Sequence, residues 1–166
     1  MKRLKLINST HILVHSHRHR TQNRRFYIMI TASPNFKILD NSSIFILGHV
    51  FECVYLVNKE TLEQVVLGEL YGDPAWGLIS HNNDWAIVGG QSLILWNEPN
   101  SIIHIEDPEI VGSTKGRQTS AIELDILINP WSDNAAVWLL NVDSLLIRKL
   151  ATRDKLTSPY SEDIDW

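Results

Sequence analysis

The chain has 166 residues, 44% of them hydrophobic, with eight glycines, six prolines and one cysteine, enough for a single domain whose core needs neither disulfides nor a thiolate metal cluster. Its apolar runs stay well short of the roughly 18 residues of a membrane helix, so no membrane partner is expected. The formal charge of −4 conceals an asymmetry: residues 1–28 hold seven basic residues and no acidic one, whereas from Met29 onward eight basic residues face nineteen acidic ones, a balance that repels nucleic acid.

The basic leader, residues 1–28, admits three readings. It resembles an acid-poor targeting segment, or a tail for nucleic acid or another anionic surface. Its composition also breaks so sharply at Met29 that an over-extended start is the leading expectation. His11, His15, His17 and His19 fall on one face of an extended chain, where imidazoles bind zinc, copper or nickel adventitiously. A structural metal site needs a closed ligand set that such a tail does not supply, so no metal is expected.

From Phe36 short apolar runs alternate with turn signals. "FKILDNSSIFIL" turns at residues 40–43, and "FECVYLVNKETLEQVVL" turns at residues 58–61. The stretch "NNDWAIVGGQSLILWN", residues 82–97, reads as a hairpin turning on Gly90 and Gln91, with Val88 opposite Leu93 and Trp85 opposite Trp96. Both of its faces are apolar, so it is expected to be a central hairpin covered on both sides. "SIIHIED", "TSAIELDILI" and "AAVWLLNVDSLLIRKL" follow, β-branched and aromatic runs of strand length. Residues 145–153 satisfy a helical pattern as well as an alternating one. The acidic tail from Thr157 is expected to be loose unless Trp166 docks.

The expected fold is therefore all-β and mainly antiparallel, a sandwich or roll over residues 29–156 with at most one short helix. The alternative is a propeller-like fragment. "LVNKETLEQVV" and "LILWN" resemble strand-turn-strand phrases of β-propeller blades, and a faint echo relates Ser92 to Ser144, 52 positions on. The chain has length for only three or four blades, fewer than most closed propellers contain.

Chemistry-bearing motifs are scarce. No phosphate loop, dinucleotide fingerprint or H-E-x-x-H pattern occurs, and no cofactor is expected. "GSTKGRQTS", residues 112–120, is a polar loop without the glycine spacing of a phosphate cradle. Ser80 lacks a nucleophile elbow. His49 and Cys53 would share a face of one strand, yet a buried structural cysteine is the better expectation. Glu106, Asp107, Glu109, Glu123 and Asp125 read as solvated strand edges.

The most distinctive segment is "YGDPAWGLISHNNDW", where Asp73, Trp76, His81, Asn83 and Asp84 combine polar groups with an aromatic. Turn formation explains most of it. As a binding loop, Trp76 would be the anchor and the carboxylates would steer a basic partner. As an enzyme or ligand site, Asp73, His81 and Asp84 would have to converge.

The phrases "VYLVNKET", "LYGDPAWGLI" and "NNDWAIVGGQSLILW" resemble those of small bacterial proteins of the polymorphic-toxin immunity type. That resemblance covers the middle third of the chain and implies cytoplasmic residence and a toxin partner. The functional expectation is a non-enzymatic protein-binding domain whose acidic surface engages a basic protein.

Overall fold

Three consecutive stretches of chain each fold into a four-stranded antiparallel meander in the computed structural model, which describes residues 29–99, 101–157 and 166. The first sheet comprises β1 (Lys37–Asn41), β2 (Phe45–Val50), β3 (Cys53–Asn58) and β4 (Gln64–Glu69). The second comprises β5 (Trp76–Ile79), β6 (Trp85–Gly89), β7 (Leu93–Asn97) and β8 (Ser101–Ile105). The third comprises β9 (Ser113–Gln118), β10 (Glu123–Ile128), β11 (Ala136–Asn141) and β12 (Ile147–Thr152). Short polar turns leave no room for crossovers, so spatial order within each sheet follows chain order.

The sheets stack in sequence, with β1 against β5 and β5 against β9. A repeated four-stranded meander, packed face to face with the first strands adjacent, is the arrangement of propeller blades. The expected all-β antiparallel class is thus observed. There are three layers where a sandwich has two, so the propeller-like alternative describes the stack.

The core has two parts, one in each seam. Between the first and second sheets lie Leu47, Val54, Leu56, Leu67, Ile79, Val88 and Ile94. Between the second and third lie Trp76, Trp85, Ile87, Leu95, Leu124, Ile126 and Trp138. The second sheet is therefore buried on both faces, as the doubly apolar hairpin at residues 82–97 requires. Its register differs by one residue from expectation. Gly89 pairs with Leu93, Ala86 with Trp96 and Trp85 with Asn97, because Ser92 joins Gly90 and Gln91 in the loop and its carbonyl accepts the Gly90 N–H at 3.1 Å. A one-residue slip exchanges faces: Trp85, Ile87, Leu93 and Leu95 point to the third sheet, and Ala86, Val88, Ile94 and Trp96 to the first.

Two other segments differ from expectation. Residues 147–152, where a short helix competed with a strand, form β12 because β11 supplies a ladder partner, a tertiary contact that outweighs local ambiguity. The polar stretch at residues 113–118 is the first strand of the third sheet and pairs with β10. The 52-residue echo matches β6 with β11, which occupy different places in their sheets.

Cross-seam hydrogen bonds position the sheets. The Ile79 N–H donates to Asp40 Oδ2 at 2.7 Å, the His81 N–H to Gln118 Oε1 at 3.0 Å, and Lys37 pairs with Asp73 at 3.0 Å. The outer faces are also dressed. Phe36 lies so close over the first sheet that a Cβ on Gly48 would come within 2.4 Å of its ring. On the third sheet, Arg117 pairs with Asp125 at 2.9 Å, donates to the Trp166 carbonyl at 2.8 Å and has its guanidinium 4.6 Å from the Trp166 ring. That last ring docks. Residues 1–28, with the four leader histidines, and residues 158–165 of the tail lie outside the described residues.

Candidate functional site

The residues singled out in the sequence do not come together. Asp73 lies before β5 and His81 and Asp84 after it. That four-residue strand is about 13 Å long, so the two groups occupy opposite ends of the sheet. Asp73 is held by Lys37. At the other end Asp84 Oδ1 accepts from Ser80 Oγ at 2.5 Å, and Ser80 Oγ accepts from the Asp84 and Trp85 N–H groups. Asn83 adopts φ 62, a conformation asparagine tolerates, and its Oδ1 is buried without a partner. Residues 80–84 thus form a turn organised by the Ser80 hydroxyl. A site built from Asp73, His81 and Asp84 does not assemble.

Trp76 is core rather than surface anchor. It is 8% exposed, its Nε1 donates to Ser113 Oγ at 3.1 Å, and its ring fills space that a Cβ on Gly89 or Gly116 would invade at 2.4 and 2.1 Å. Sequence reasoning missed this because Trp76 opens a strand of only four residues interrupted by Gly77. Glycine inside a strand, as at Gly89 and Gly116, marks close approach by another group.

His49 and Cys53 also part company. His49 pairs with Val54 and faces the second sheet, with Nδ1 2.6 Å from the Phe51 carbonyl, whereas Cys53 pairs with Val50 on the opposite face. Residues 51–52 form a turn between two strands, where a single strand had been expected. Beside Cys53 the Tyr55 phenol is held above the ordinary tyrosine range, first by its hydrogen bond with Cys53 and then by burial. Among the described residues, no three His, Cys, Asp or Glu side chains gather in a way that could hold a metal ion.

Three concavities among the described residues lie instead at one end of the stack, where β5 runs into β6 and β7 into β8. A groove of about 550 Å³ opens between the second and third sheets. Trp85, Ile103 and Leu145 line its apolar part, and Asp84, Glu98 and Asp143 supply carboxylates without a lining cation. Trp85 is fixed by donation from its Nε1 to the Ala121 carbonyl at 2.8 Å. A cleft of about 150 Å³ opens at the same end between the first and second sheets and shares Glu98. A shallower hollow of about 280 Å³ includes His81, Asn82 and Gln118. Of the residues expected to bind, only His81 and Asp84 reach any of these concavities. Residues 37–105 carry two basic residues, Lys37 and Lys59, against eight acidic ones, so the first two sheets hold most of the negative field.

No known family model matches the chain, and no curated protein matches it. Among the described residues no helix is long and apolar enough to cross a membrane.

Proposed function

We propose that the protein is a non-enzymatic binding domain that receives a basic protein at the grooved end of its sheet stack. A single observation carries the reading: an apolar groove lined by the half-buried Ile103 and Leu145 over the buried Trp85 is bordered by Asp84, Glu98 and Asp143, with no cation lining it among the described residues. Aliphatic surface supplies contact area, while the carboxylates speed and orient the approach of a positively charged partner. A basic toxin neutralised by this surface is one such partner, and cytoplasmic residence accompanies that version.

The test is capture of basic proteins from a lysate by the full chain, purification of the captured protein, and coupling of the reconstituted pair with a zero-length carbodiimide. Partner lysines are expected to crosslink to Asp84, Glu98 or Asp143, with an affinity that falls as salt rises. Crosslinks confined to Glu52, Asp107 or Asp133 at the opposite end would contradict the reading, as would the absence of any binding partner.

A further inference from the structure

The smaller cleft, between the first and second sheets, contains an unanswered hydrogen-bond donor. Trp96 is 3% exposed, and its Nε1 is buried without a partner. A buried N–H left unmet is destabilising, so such a group calls for an acceptor that the described residues do not provide. Its neighbours explain the vacancy of partners. Phe45 meets the Trp96 ring edge-on at 5.4 Å, Val65 and Pro99 are apolar, and the nearby Asn58 Oδ1 already accepts the N–H groups of Glu60 and Thr61. At the same cleft Glu63 and Glu98 contribute carboxylates that form no ion pair among the described residues. Lys59, the cation of the adjoining turn, is committed to the Ser42 carbonyl and does not line the cleft.

Size narrows the occupant. The cleft holds about 150 Å³, below the roughly 300 Å³ at which small-molecule sites begin and comparable to about five waters. That is room for one long side chain. Two carboxylates select a cation, the half-buried Phe45 ring favours a planar one that stacks, and the indole N–H asks for a carbonyl alongside. An arginine in a peptide offers all three: a guanidinium for Glu63 and Glu98, a flat apolar-tolerant face for Phe45, and a peptide carbonyl as acceptor.

We propose that this cleft receives one arginine side chain of the basic partner, with Trp96 Nε1 donating to a carbonyl of the same peptide. The assignment rests on the binding reading above and adds a second point of engagement, since Glu98 borders both the groove and the cleft.

The experiment follows the indole N–H resonances of the full chain labelled with ¹⁵N-tryptophan, with the Trp96 signal assigned through Trp96→Phe. N-acetyl-arginine N-methylamide is titrated in, and the citrulline analogue, of the same shape without the charge, serves as the comparison. The expected result is a saturable shift of the Trp96 signal with the arginine probe, at least tenfold weaker binding of the citrulline probe, and about fivefold weaker arginine binding in Glu63→Gln and Glu98→Gln. Asp133→Asn, at the other end, should leave the titration unchanged. A Trp96 signal that does not respond, or that responds equally to both probes, overturns the proposal, and a cross-peak to water alone would identify a bound water as the acceptor and overturn it too. The two readings fail separately. A silent cleft with carbodiimide crosslinks still at Asp84 and Asp143 removes the arginine site alone, whereas a saturable arginine response in a chain that binds no basic protein removes the protein partner alone.

Discussion

Between the second and third sheets three tryptophans fill the seam, and two of them, Trp76 and Trp85, send their indole N–H groups across to Ser113 and Ala121. Between the first and second sheets aliphatic side chains dominate, and Trp96 Nε1 finds no acceptor. Apolar burial alone holds two sheets together without fixing how they sit, because it has no direction. Indoles with both a large rigid ring and a bonded donor do fix it. The second seam is thus pinned at two polar points by core side chains. The first depends on Asp40 and the exposed Lys37–Asp73 pair, at its margins, and leaves a cleft with an unmet donor among the described residues.

Substitutions at the two seams separate these contributions. Trp76→Ala removes the pin and opens a cavity between Gly89 and Gly116, and chemical denaturation should show a loss of about 3–5 kcal/mol. Gly116→Ala intrudes on the same ring and should cost about 1–3 kcal/mol by overpacking. Trp85→Phe deletes the bond to Ala121 and should cost at least ~1 kcal/mol more than Trp96→Phe, which deletes a donor that has no partner. Equal costs for these two would mean that the seams do not differ in the way described. Asp40→Ala, which releases the Ile79 N–H, should cost about 1 kcal/mol. Trp166→Ala should cost least, about 0.5–1 kcal/mol, the size of an exposed cation–π contact, read as a small shift in thermal midpoint.

Much of the architecture was legible in the residues. The stretch at residues 85–96 is apolar on both faces, and burial on both faces is what the structure shows. The same property hid the register. When either face can be buried, alternation no longer selects between pairings one residue apart, and only the loop geometry at Ser92 decides. The repeat was legible too, but at a different offset. Asn58, Asn97 and Asn141 each end the third strand of a sheet, 39 and 44 residues apart, and Asn58 and Asn141 accept N–H groups of the turns that follow. The 52-residue echo compared strands of different rank.

The candidate site was legible only in outline. Asp84 and His81 do border concavities, but the groove also needs Glu98, Asp143, Ile103 and Leu145 from three further turns or strands. No local pattern brings those residues into view, since their proximity is created by the stacking of sheets. Trp76 misled for a related reason. An aromatic beside glycine and proline in a short segment has the look of an exposed loop anchor, and only the glycines of neighbouring strands indicate that a ring must fill the space above them.

The proposed end-face binding is tested most directly by the affinity of a basic protein captured by the chain for Glu98→Lys, which reverses the carboxylate shared by groove and cleft, against Asp133→Lys at the opposite end. A loss of at least tenfold is expected for Glu98→Lys and a change within twofold for Asp133→Lys. Equal losses would mean that the partner responds to overall charge alone, and would contradict a defined acidic end face.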